Sequence, residues 1–125
     1  MNELTINGIV YSFKFGFGFV RKIGGAYKVP VPGIPEAKKD AGLVLAIANL
    51  HDGDVVELVR VLDAANEGQT PRISRRELEE FVENEDTDLD ELFAKVLDFL
   101  SRANCCRAAW KQVQKMVEEQ NKAQA

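Results

Sequence analysis

Asn7-Gly8, set between two alternating apolar segments, constrains this chain more than any other feature. A two-residue type I′ turn needs positive φ at both central positions, which Asn-Gly supplies at the lowest steric cost. A turn there sets Ile6 opposite Ile9, Leu4 opposite Tyr11 and Asn2 opposite Phe13. Successive strand side chains point to opposite faces. Leu4, Ile6, Ile9, Tyr11 and Phe13 therefore share one face, and Glu3, Thr5, Val10, Ser12 and Lys14 the other. Turn chemistry and alternation agree on one register. A lone two-stranded hairpin is marginal in water, and full burial of each large apolar side chain gains about 1.5–3 kcal/mol. The hairpin is expected to dock its apolar face onto the rest of the chain.

Beyond Phe13 two periods compete. Phe13, Phe15, Phe17 and Phe19 continue the strand alternation, whereas Phe15, Phe19 and Ile23 fit a helical spacing of four. Gly16 and Gly18 weaken both readings. The reading adopted ends the strand near Phe15 and runs a short helix to about Ile23, stopped by Gly24-Gly25. Val29 to Pro35 holds prolines at 30, 32 and 35, which remove donors and push preceding residues extended. That segment reads as a loop, either a connector or a PxxP-like recognition stretch.

Everything after Pro35 reads as helix. Glu36 to Leu50 carries Ala37, Ala41, Val44, Leu45 and Ala48 on one side, widened by Leu43, Ile47 and Leu50, as in a buried central helix. Gly53 suits a C-terminal stop and Asp54 an N-cap, with Glu57 three residues on. Val55 to Asn66 follows, with the stripe Val55, Leu58, Val59, Leu62 and Ala65. Ser74 and Glu77 form a capping box ahead of Leu78, Phe81 and Val82. Thr87 or Asp88 opens a helix with Leu89, Leu92, Phe93, Val96, Leu97 and Leu100. Asn104 interrupts it, and Cys106, Ala109, Trp110, Val113 and Val117 define a last amphipathic helix.

The predicted fold class is therefore α+β: an N-terminal β-hairpin packed against a mostly helical part of five to six helices. With 125 residues, one domain is expected. It divides into the hairpin and short helix (1–25), the Pro-rich loop (26–35), the helical part (36–120) and a frayed tail (118–125).

Charge and composition narrow the function. No apolar run approaches the ~20 residues of a membrane span, and no basic segment precedes an apolar one as in a secretory leader. A cytoplasmic protein without membrane contact is expected. The net charge of −4 divides into +3 over residues 1–50 and −7 over residues 51–125, which disfavours a nucleic-acid partner. Asp86 to Asp90 begins like a calcium loop, but the sixth and twelfth positions, Glu91 and Leu97, lack the required glycine and glutamate. Gly16-Phe17-Gly18 begins like a dinucleotide fingerprint, with Arg21 in place of the third glycine. One histidine, His51, and the adjacent Cys105 and Cys106 supply neither a zinc ligand set nor a nucleophile–base pair. No catalytic residue, metal or cofactor is expected.

Three candidate interaction surfaces remain. Phe15, Phe17 and Phe19 are an aromatic cluster beside two glycines, which core packing would also explain. Trp110, Val113 and Val117 line the terminal helix, which can dock in cis or in trans. Glu77 to Glu91 holds nine acids and no Lys or Arg. Glu79, Glu80, Glu83, Glu85 and Asp86 there could form an acidic patch for a basic partner, or a solvated face.

Ile6-Asn-Gly8, Tyr11-x-Phe13-Lys-Phe15-Gly-Phe17, Gly53-Asp54 before Leu58-Val59 and the acidic Glu77-to-Glu85 helix give the chain a family likeness. It resembles the tail assembly chaperones of long-tailed bacteriophages and prophages, closest to those of Gram-positive hosts. The likeness covers roughly residues 4 to 100. It implies a non-enzymatic protein that coats the helical tape measure protein during tail assembly, meets the tail tube protein and self-associates. It further implies residence in the host cytoplasm, absence from the mature virion and, in many members, a longer form made by ribosomal frameshifting. No catalytic residues come with it. The alternative is a cytoplasmic regulatory adaptor that binds a basic partner through the acidic helix patch.

Overall fold

A computed structural model describes residues 2–123. The first hairpin pairs β1 (Glu3–Ile6) with β2 (Ile9–Ser12), antiparallel, with Ile6 opposite Ile9 and Leu4 opposite Tyr11. Asn7 and Gly8 hold φ of 53° and 79°, as a type I′ turn demands. The Phe13 amide donates to the Asn2 carbonyl at 2.8 Å, which continues the expected register past the last rung. Leu4, Ile6, Tyr11 and Phe13 are buried, but Ile9, at the turn, is 47% exposed. The apolar face thus covers the core with four residues rather than five.

The strand stops at Ser12 rather than near Phe15 because the chain leaves the ladder after Phe13. The Lys14 amide donates to the Ala65 carbonyl at 2.8 Å, which threads the chain along a neighbouring helix. The short helix α1 (Phe17–Gly24) then forms as the spacing of four predicts, with Phe19 and Ile23 buried.

Residues 26–40 differ from expectation. The Pro-rich stretch is a second hairpin, β3 (Lys28–Val31) and β4 (Ile34–Asp40), joined by Pro32-Gly33. Gly33 has φ 81°, and Pro followed by a positive-φ glycine is turn chemistry as much as helix-breaking chemistry. Glu36 to Asp40 is strand, so the next helix, α2 (Gly42–His51), starts six residues later than the sequence suggests. Both strands are edges, where proline is tolerated because its missing donor faces no neighbour. A register break between Pro30 and Val31 absorbs the rest.

The helices follow their caps. In α3 (Val55–Asn66) the Asp54 carboxylate accepts from the Glu57 amide at 3.1 Å. In α4 (Arg75–Glu83) the Ser74–Glu77 capping box is present in both directions. In α5 (Leu89–Arg102) Asp88 accepts from the Glu91 amide at 3.1 Å. A 3-10 turn at Asn104–Cys106 interrupts the helix where Asn104 predicts a break, and α6 (Arg107–Ala123) follows. Glu118 to Ala123 continues α6, and the last two residues of the expected tail lie outside the described ones.

The architecture is α+β, with six α-helices among the described residues. α2 is its centre: apolar on nearly every side, it packs against α1, α3, α5 and α6. Ala46, Ile47 and Leu50 are enclosed there with Leu58 and Leu62 of α3, Val96 and Leu100 of α5, and Val113 of α6. The first hairpin belongs to this core. The second does not.

Candidate functional site

Phe15 and Phe19 lie four residues apart across the start of α1 and turn inward together. Their rings meet edge to face at 4.9 Å, and Phe99 of α5 closes the stack at 6.1 Å from Phe15. Edge-to-face pairs of this kind add about 0.5–1.5 kcal/mol beyond area burial. Helical geometry then forces Phe17, two residues on, to a different side. It is 72% exposed. The three phenylalanines therefore separate into two core residues and one surface residue.

Phe17 stands on a groove of about 830 Å³ between α1 and the C-terminal end of α3, lined also by Lys14, Arg21, Lys22, Glu67, Gln69 and Cys105. A Cβ at Gly18 would meet nothing within 4 Å, so the wall beside Phe17 is open. Lys22 is held by an ion pair to Glu67. Lys14 and Arg21 make no ion pair among the described residues, which leaves the groove aromatic and cationic. Behind it, Asn66 fixes the frame. Its fully buried amide donates to the Ser12 carbonyl at 2.9 Å and the Pro71 carbonyl at 3.3 Å. Its oxygen accepts from the Ile73 amide at 2.8 Å and from Arg72 at 3.0 Å.

Among the described residues no buried side-chain polar atom lacks a partner, and no cluster of His, Cys, Asp and Glu could hold a metal ion. Cys106 is sealed inside, where burial, with Cys105 beside it, pushes its thiol up to about 11. A thiol held protonated is a poor nucleophile. No described helix is long and apolar enough to cross a membrane.

The sequence model of a family described as phage tail assembly chaperone protein, TAC, matches residues 3–115. The chain belongs to this family. No curated protein and no solved structure matches it. The match spans both hairpins, all of α1 to α5 and about half of α6, so it covers nearly the whole chain and not one motif.

In this tail assembly chaperone the other candidate surfaces take definite places. Val113 is 1% exposed and belongs to the core, so it offers nothing to a partner in this arrangement. Trp110 and Val117 are half-buried against the same core, with the Trp110 ring 5.6 Å from that of His51 at the end of α2. α6 is therefore docked in cis. Glu79, Glu80, Glu83, Glu85 and Asp86 are all exposed, with Glu80 paired to Arg76 at 3.3 Å.

One surface escaped the sequence reading. Val55, Val56 and Val59 of α3 and Val82 of α4 border a notch of about 390 Å³, rimmed by Glu79 and Glu83. Val56 is 76% exposed and Val55 41%. The signal was present: two valines follow the Asp54 cap where the helical stripe needs one.

Proposed function

We propose that this tail assembly chaperone binds the tape measure protein through the Phe17 groove, without catalysis, and self-associates while doing so. A long helical client presents apolar stripes flanked by charge, and an aromatic anchor in a groove is the usual way to hold such a stripe. The observation that carries the reading is Phe17: a bare phenylalanine on a rigid frame, backed by the buried Phe15–Phe19 pair. The free cations Lys14 and Arg21 favour a client segment with acidic flanks. Release of the client, and of any tail tube protein contacted with it, suits a shallow groove better than a deep pocket. The place of action is the host cytoplasm, before the virion is complete.

The test is co-expression with the tape measure protein encoded beside this chain. Phe17→Ala is expected to abolish co-purification while shifting stability by less than about 0.5 kcal/mol, as for a surface position. Phe15→Ala is the control and should lose about 3–5 kcal/mol. Retained co-purification of Phe17→Ala would sink the groove. Binding through an apolar anchor should also survive about 1 M salt, where the Debye length is about 3 Å. Collapse of binding there would point to the exposed acidic patch and the adaptor reading instead.

A further inference from the structure

Phe17 is bracketed by two cations. Arg21 lies one turn along α1 on the same side, where side chains four residues apart have Cβ atoms about 5–6 Å from each other. Lys14 lies on the other side of Phe17. Its amide is tied to the Ala65 carbonyl at 2.8 Å, and its alkyl stem crosses Gly16, where a Cβ would come within 3.3 Å of Lys14 Cε. Both cations are exposed. α1 carries no acidic residue, and the carboxylate that does line the groove, Glu67, is taken by Lys22. Lys14 and Arg21 make no ion pair among the described residues, so the groove presents an aromatic ring between two uncompensated positive charges.

The groove is also longer than one side chain needs. A second hollow of about 400 Å³ adjoins it at Lys14, Gly16 and Gln69 and reaches Asn2 and Ala103. Hollows of that extent accommodate a stretch of chain, with Phe17 as its apolar contact and a cation to each side. Two cations match two carboxylates. They do not match a nucleic-acid backbone, which is held by many basic contacts along its length. The −7 charge of residues 51–125 would repel such a polyanion as well.

We infer that the Phe17 groove selects an acidic peptide segment, one that presents a large apolar side chain to Phe17 and a carboxylate to each of Lys14 and Arg21. The 5–6 Å from Phe17 to Arg21 is about the pitch of one helical turn, so in a helical segment each carboxylate falls three or four residues from the apolar one. The inference rests on the client binding proposed above and names the chemistry of the segment bound. Of a long helical client, the groove holds the stretches whose apolar stripe is edged by Asp or Glu and leaves the basic-edged ones free. Charge here sets selection more than affinity, because an exposed ion pair contributes little and the apolar contact remains.

An array of overlapping synthetic peptides covering the tape measure protein encoded beside this chain, probed with the whole chain, tests it. The parent should capture peptides in which Asp or Glu stands three or four residues to both sides of a large apolar residue. Lys14→Glu with Arg21→Glu should weaken capture of those peptides at least tenfold and gain peptides edged by Lys or Arg. Thermal melting should stay that of the parent, because both positions are exposed. Raising salt to about 1 M should weaken capture by the parent about tenfold, and capture by Lys14→Gln with Arg21→Gln much less. The inference is overturned if the captured peptides carry no such carboxylates or if the charge-reversed variant captures the same set as the parent. A single-stranded oligonucleotide bound more tightly than the peptides would overturn it too. Phe17→Ala separates it from the reading on which it rests. Capture lost in Phe17→Ala but unchanged in both charge variants removes the acidic selection and leaves the groove as the client site. Capture that Phe17→Ala keeps in full, or a parent that captures no peptide, removes both.

Discussion

Asn66 shows how much of this fold depends on one polar side chain. It is fully buried, and both its donors and its acceptor are used, tying the end of β2 to the 71–73 segment beyond α3. Removing it strands the buried Ile73 amide, and a buried group without a partner costs about 1–3 kcal/mol on top of the lost bonds. Asn66→Ala should therefore destabilise the protein by about 3 kcal/mol in chemical denaturation. A loss below about 1 kcal/mol would show that water replaces the side chain. Nothing in the sequence marks Asn66: it reads as the last polar residue before a turn, because its partners are distant in the chain. The phenylalanines were half legible. Spacing of four correctly pairs Phe15 with Phe19, while strand alternation would have put Phe17 on the same face. Only the start of α1 at Phe17 decides between them, and glycines at 16 and 18 hide that start.

At the scale of elements, legibility follows how local the determining chemistry is. The Asn7-Gly8 register, the Asp54 and Asp88 caps and the Ser74–Glu77 box are set by residues within a few positions of each other, and all appear as the sequence predicts. The second hairpin is hidden in the sequence because proline reads as a breaker, although on an edge strand its missing donor has no cost. Ala37 and the charges of 36–40 read equally well as a first helical turn. What ends that ambiguity is a tertiary contact, the close approach of Gly42 to the end of α1. Gly42→Ala would drive a methyl to 2.0 Å from the Ile23 carbonyl oxygen and 2.8 Å from that of Gly24, both backbone atoms that cannot step aside cheaply. The variant should lose about 2 kcal/mol or more, in the range of overpacking, and loosen the root of the second hairpin. Hydrogen exchange at the Ala41 amide, which bonds Tyr27, should accelerate. Unchanged exchange and stability would mean that the root is not a fixed joint.

The whole molecule is closed by the return of α6 across α2 and α5, and the joint of that return is the turn holding Cys105 and Cys106. Cys106 is enclosed, Val113 seats one helical stretch further on, and Trp110 lies over His51. An ion at this joint would sit inside the apolar body, which is why burial raises the Cys106 thiol from 9.0 to about 11. Below pH 9 the thiol is protonated in the folded and unfolded chains alike, and the full stability is present. Between pH 9 and about 11 the unfolded chain gives up this proton while the fold retains it, so stability falls as pH rises. The slope from this one group is at most about 1.4 kcal/mol per pH unit. Denaturation midpoints measured from pH 8 to 11 should thus decline more steeply for the parent than for Cys106→Ala. That variant has lower stability throughout but lacks the proton. Alkylation should report the same joint kinetically: Cys105, exposed on the Phe17 groove, reacts at once, and Cys106 only as α6 lifts. Equal slopes for parent and variant, or equal alkylation rates for the two thiols, would show that α6 leaves the body readily at neutral pH. The joint would then not be what holds the chaperone closed.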